Sequence, residues 1–364
     1  MVIRVKVTNN RQVITPIRFV RAVTGNPRDD APDIDDRGFD MGDSPRGWGE
    51  TDARGAKVGI LLNTTVQIRV IREDIEESAE LYVTSTEPRI LEIVSPASGT
   101  ALGRDGVFQV RGLQDTASTA AKIQINYGAS DGPVIGEMEA QVFPLRTVRV
   151  CGHLVSINGT GTVRTAASLT RLIEDVNRIW QPCGIQFRYR EAEILNETVT
   201  GYTTAGTVTT NISGGDWSEF SQLLQENPVN WGINIYCVRA ANEWTGLTYE
   251  NTVARPNGYG VVITDVTNPV EDAWVLSHEL GHALDLDLHS GERTAGTIWR
   301  REIWSYRRLM WSFTGTPATP TYHNDVGYGA GRPGAMITLK NFPDAQDPND
   351  NECSRSRERA RNPY

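Results

Sequence analysis

The sequence predicts a multidomain chain: an all-β N-terminal region followed by an α+β C-terminal region. Three observations carry this. The first ~145 residues hold short strand-like runs and almost no helical periodicity. Gly, Pro, Asn and Asp punctuate those runs where turns are needed. Beyond "FPLRT" strand-like and helix-like segments alternate, as in a mixed sheet covered by helices. A chain of 364 residues has room for both cores. The expected division is 1–145 and 146–364.

In the first region the expected strands are "VIRVKV", "VGILL", "VQIRVI", "ELYVTS", "FQVRG", "AKIQINYG" and "MEAQVF". Short strands at this spacing predict a β-sandwich. Residues 57–143, through "VTSTEPRILEI", "GVFQVRGLQ" and "AKIQINYG", resemble the bacterial immunoglobulin-like group 2 domain. That resemblance implies an Ig-like sandwich that spaces or presents a partner domain. Residues 25–56 interrupt the pattern. They are rich in Asp, Gly, Pro and Arg and keep no apolar period, which predicts a long acidic loop.

The second region opens with a strand, "TVRVCGHLVSIN". "AASLTRLIEDVNRIW" then places Leu169, Leu172, Ile173, Val176, Ile179 and Trp180 on one stripe of an amphipathic helix, stopped by Pro182 and Gly184. "GIQFRYREAEI" reads as one strand, residues 198–215 as a loop, and "DWSEFSQLLQEN" as a short helix ended by Pro228. "INIYCVRAA" and "GYGVVITD" are further strands.

Composition narrows the function classes. Apolar content of 39% and charged content of 22% fit an ordinary globular protein. A formal charge of −9 argues against a nucleic-acid partner. No apolar run reaches the length of a membrane span. The alternating first residues contain no apolar h-region, so no secretory signal is expected. The expectation is then a cytoplasmic protein, one exported by a route without a signal peptide, such as injection into a competitor or host cell, or a sequence given without its leader. Cys151, Cys183, Cys237 and Cys353 form no C-x-x-C pair, and both a disulfide and buried free thiols stay open.

The chemistry concentrates in "VLSHELGHALDLDLHSGE", which holds three of the five histidines. Asn268 is a good N-cap, Pro269 suits the first helical position, and Glu271 and Asp272 favour the first turn. A helix from there is expected to run to about Leu284. His278 and His282, four residues apart, then lie one turn apart on one face, separated by ~40° about the axis. Both imidazoles can reach one ion, and Glu279 can reach a water on it. Zinc suits imidazole nitrogen, and a catalytic site keeps one position open beside three protein ligands. On a straight helix His289 would lie ~10 Å beyond His282. It can be the third ligand only if the chain bends between Ala283 and Leu288. Asp287 or Glu302 can take that place instead.

"HELGHALDLDLH" resembles the metzincin group of zincin metallopeptidases, whose motif is H-E-x-x-H-x-x-G-x-x-H. It departs twice: Asp285 stands where the helix-breaking Gly belongs, and His289 arrives one residue late. "RRLMWS" resembles the methionine turn of that group, carried by Met310, and "VNRIWQPCGIQF" resembles its first helix and second strand. Glu302, twenty residues after His282, matches a spacing similar to that of thermolysin-like enzymes. The metzincin resemblance implies an α+β zincin fold, Zn2+ as cofactor, a protein or peptide substrate, Glu279 as general base, and an edge strand within residues 242–256 that receives the substrate. It also implies a latency device of the astacin kind: Phe39 and Asp43 in "GFDMGD" form a motif one residue longer than F-x-G-D. His153 and His323 are expected to be structural or surface residues, and Trp274 to pack in the core. Tyr306, Tyr322 and Tyr328 are open candidates for oxyanion stabilisation. The expected activity is therefore zinc-dependent endopeptidase. The alternative is a non-enzymatic adhesion or binding protein with a structural metal.

Overall fold

The structure is a computed structural model. It describes residues 17–21, 39–40, 56–72, 75–116, 121–189, 193–210, 218–242, 246–249, 260–265, 269–284, 286 and 352–360.

The described part of the first region is all β. Its strands are β1 (Ile17–Arg21), β2 (Phe39–Asp40), β3 (Ala56–Leu61), β4 (Thr65–Arg72), β5 (Leu81–Ser85), β6 (Leu91–Ser95), β7 (Val107–Gly112), β8 (Ala121–Tyr127) and β9 (Val134–Phe143). They form one sheet in the order β1-β4-β7-β6 and another in the order β2-β3-β9-β8-β5. Alternation along the strands decides which side is buried. Ile68, Val70, Phe108 and Val110 of the first sheet meet Ile60, Ile123, Ile125, Met138 and Ala140 of the second in one core. "VIRVKV", expected as a strand, lies outside the described residues. The acidic loop is not wholly irregular: Phe39–Asp40 pairs antiparallel with β3, with Phe39 opposite Val58. Two residues are too short a run to leave a period in the sequence.

The second region contains β10 (Arg146–Ile157), β11 (Thr160–Gly161), α1 (Ala166–Trp180), a 3-10 turn (Gln181–Cys183), β12 (Ile185–Arg188), β13 (Ile194–Val199) and β14 (Thr207–Val208). There follow α2 (Ser218–Leu223), β15 (Ile233–Val238), β16 (Ala240–Ala241), β17 (Gly246–Tyr249), β18 (Gly260–Thr264), α3 (Pro269–Ala283) and α4 (Glu352–Arg359). The sheet runs β10-β15-β18-β17, with β12 and β13 also paired to β10. β15 runs parallel to both β10 and β18, whereas β17 runs antiparallel to β18 and forms the edge among the described residues. The stretch expected as one strand, "GIQFRYREAEI", is two: Ile185 opens β12 beside Arg146, and Ile194 opens β13 beside Gly152. Both borrow the same long strand, so the split follows from pairing and not from local pattern.

α1 has the predicted stripe, and all six of its named residues are buried. Its start adds a feature not anticipated: Thr165 and Ser168 form a reciprocal capping box. The stripe packs into a core shared with Ala273, Leu276, Leu280 and Ala283 of α3 and with Val148, Ile233, Ile235, Val261 and Ile263 of the sheet. Each such side chain contributes roughly 1.5–3 kcal/mol by leaving water. Among the described residues no helix is long and apolar enough to cross a membrane.

The two regions meet at a tight seam. A side chain on Gly59 of β3 would sit 2.0 Å from the Pro182 carbonyl oxygen, so only glycine lets strand and 3-10 turn approach this closely. Cys183 of that turn is bonded to Cys353 of α4, a pairing across 170 residues. Arg357, one turn further along α4, donates to the carbonyls of Pro144, Cys183 and Gly184 at 3.0, 2.6 and 3.3 Å. Its guanidinium lies 4.6 Å from the centre of the Phe143 ring. These carbonyls belong to the junction between the regions, so α4 clamps the seam from outside. Cys151 and Cys237 stay free and buried. Burial pushes their thiols up to about 11 and about 12, which keeps them protonated and unreactive.

Removing the disulfide with Cys353→Ser is expected to lower unfolding free energy by about 3–5 kcal/mol, through the longer loop left free in the unfolded chain. Guanidinium unfolding of the two proteins checks this. Equal midpoints would show that α4 is held by Arg357 alone.

Candidate metal and proton-transfer site

α3 is fixed first at its N-terminal end. Asp272 in its first turn accepts from both terminal nitrogens of Arg164, with Nη2 at 2.8 Å. The same Nη2 donates to the Thr264 carbonyl at the end of β18, at 2.6 Å. Asp265 accepts from the Thr162 hydroxyl at 2.6 Å and from the Val163 amide at 2.8 Å. The strand end, the loop before α1 and the start of α3 therefore share one charged cluster. Such a group is largely buried, so removing one member strands the others.

At its other end α3 stops at Ala283. The Leu284 amide bonds back to the carbonyls of Leu280 and Gly281. The Leu286 amide reaches the Gly281 carbonyl at 3.1 Å. A bond spanning five residues closes a helix end of the Schellman kind and turns the chain off the axis. The helix thus ends at the start of the window, Ala283 to Leu288, in which a bend is required; residues 287–351 lie outside the described residues. Asp285, at the position that usually adopts the left-handed conformation, lies outside the described residues.

The same turn prepares His282. Its Nδ1 faces the Leu286 carbonyl oxygen at 2.8 Å. A carbonyl can only accept, so Nδ1 carries a proton, and in the neutral ring Nε2 is then the nitrogen that holds the lone pair. Metal-binding histidines are commonly oriented in this manner. The His278 ring lies edge-on to it, with centroids 4.9 Å apart and planes 87° apart. His278 is buried and His282 half-buried. The two expected imidazole donors are therefore brought together on one flank of α3, away from the Ala273–Leu276–Leu280 stripe.

Glu279 lies between that flank and the edge strand. Its Oε2 accepts from the Thr248 hydroxyl at 2.7 Å. A Cβ on Gly246 would stand 2.8 Å from Glu279 Cγ and 2.6 Å from a Val275 methyl. Gly246 and Thr248, two apart on β17, thus present one face to the helix. Burial pushes the Glu279 carboxyl up to about 7, against the Thr248 hydrogen bond, which favours the carboxylate. An acid poised there can take up and release a proton near neutrality.

His153 is excluded from this site. It is fully buried in β10, with Nδ1 3.2 Å from Glu197 and Nε2 3.0 Å from the Asn234 side-chain oxygen. It also stacks on Tyr236 at 4.2 Å. Both nitrogens are engaged, which accords with the structural role expected of it. Among the described residues no group of three metal-ligating side chains gathers. His289, Asp287 and Glu302, the three expected third donors, all lie outside the described residues, as do Met310, Asp43, His323, Tyr306, Tyr322 and Tyr328. The side chain of Trp274 does too. β17 does supply an antiparallel edge strand within 242–256. Thr248, Gly246 and the Leu286 carbonyl were not anticipated. Nothing local in "GLTYE" marks them, because their role comes from the partner helix across the sheet edge.

The raised carboxyl sets a pH dependence for the metal-free protein. Glu279 titrates near 4.5 when unfolded and near 7 when folded. The stability advantage of the folded acid is complete below about 4.5 and is lost as pH rises to about 7, a fall on the order of 3 kcal/mol. Glu279→Gln is expected to flatten this part of the profile in urea unfolding after chelation. Parallel falls in wild type and variant would contradict it. No protein-family model matches the chain, and no curated protein matches it.

Proposed function

We propose that the C-terminal region is a zinc-dependent endopeptidase of metzincin type, an α+β zincin, carried beside an immunoglobulin-like sandwich. The observation that carries this is the turn after Ala283. It ends the helix at Ala283 and aims His282 through the Leu286 carbonyl.

The side chains present fit a zinc ion. His278 and His282 offer two neutral nitrogen donors, and His282 has its tautomer set for coordination. The third donor comes from the segment after Leu286, with His289 placed first and Asp287 or Glu302 as alternatives. Bound there, zinc supplies a Lewis acid for the scissile carbonyl and makes a water acidic near neutrality. Glu279 takes the proton of the attacking water and hands it to the leaving amine. Its buried, raised carboxyl suits both halves of that exchange. Among the described residues β17 pairs only with β18, so its other edge, beside Glu279, can receive an extended peptide. A protein or peptide is accordingly the substrate, and Asp43 is the residue through which the acidic loop would restrain the site.

Metal analysis of purified wild type is expected to give about one zinc per chain, with His289→Ala losing it and Glu302→Ala retaining it. Glu279→Gln should keep the zinc while peptide hydrolysis falls by roughly a thousandfold or more. A Glu279→Gln protein as active as wild type, or a wild type that binds no zinc, removes the endopeptidase reading.

A further inference from the structure

Thr248 stands at an unusual point. Its hydroxyl lies 2.7 Å from Glu279 Oε2 and 2.8 Å from the main-chain carbonyl oxygen of the same residue. A hydroxyl has one proton to give and lone pairs to accept with. Standing between the two oxygens, it ties the Glu279 side chain to the main chain of the same helix turn. Gly246, on the same face of β17, lets the strand come this close: a Cβ there would lie 2.9 Å from Glu279 Oε1.

The geometry points to Thr248 as the positioning residue of this site: its hydroxyl, set between the carboxyl and main-chain oxygens of Glu279, holds that side chain in one place. The inference rests on the endopeptidase reading and deepens it, since a general base that swings away from its target loses its effect. The Thr248 hydroxyl acts on the site through Glu279, the residue it contacts. Serine can replace it and valine cannot.

Two measurements separate this inference from the reading beneath it. Zinc-loaded full-length protein is assayed on fluorescein-labelled casein. Thr248→Val is expected to lower kcat by about ten- to a hundredfold, with KM and zinc content near wild type, and Thr248→Ser to restore most of it. The second measurement needs no activity. In metal-free protein, the loss of urea midpoint caused by Thr248→Val should shrink by about half or more when Glu279→Ala is already present. Additive midpoint shifts, or a Thr248→Ser protein as slow as Thr248→Val, overturn the role of Thr248. A wild type that leaves casein intact while the midpoints remain coupled removes the endopeptidase reading and leaves the Thr248–Glu279 contact standing.

Discussion

The turn that closes α3 governs what the rest of the site can do. A helix end leaves main-chain carbonyls without partners, and these must be satisfied by whatever follows. Here the Leu284 and Leu286 amides supply the partners, and Leu286 in exchange gives its own carbonyl to His282. One local solution to a hydrogen-bonding problem thereby fixes the helix length, the direction of the chain and the tautomer of a histidine. Leu286 is buried in the same core as α3 and α1, so hydrophobic packing anchors the turn. Had α3 continued unbroken, His289 would have been carried beyond reach of the ion that His278 and His282 can share.

Fixing only that end would leave the helix free to pivot. Arg164 and Asp272 secure the other end to the sheet, and the apolar stripe seats the middle against α1. β17 closes the remaining flank. It buries a glutamate, which opposes stability above neutral pH. The polar groups around His153 behave differently. Glu197, Asn234, Asn227 and the Val229 backbone satisfy one another and tie β10, β13 and β15 together. Buried polar groups are thus mutually satisfied within the sheet, whereas beside the helix the Glu279 carboxyl is raised by burial.

Features with a short sequence period were legible before any coordinates. α1 could be read to the residue, because six apolar positions fall on one stripe and Pro182 with Gly184 mark its end. The His278–Glu279–His282 spacing placed both imidazoles on one flank for the same reason. Contacts made across the chain were not legible. Cys183 and Cys353 are separated by 170 residues, and nothing near either one names its partner. Arg357 sits among charged residues in "SRSRERAR", with nothing local to mark it as buried, yet it is buried against three carbonyls. β12 and β13 read as one strand because the interruption between them leaves the local β pattern intact. Thr248 is an ordinary strand residue until α3 is packed beside it.

The central claim is that the segment after Leu286 returns a third donor to the cation shared by His278 and His282. X-ray diffraction from zinc-loaded crystals, with anomalous data on both sides of the zinc absorption edge, tests it most directly. The account predicts one anomalous peak bonded to nitrogens of both histidines and to a side chain between Asp287 and Glu302. A peak located elsewhere, or an ion touching the two rings with no third protein donor, would contradict it.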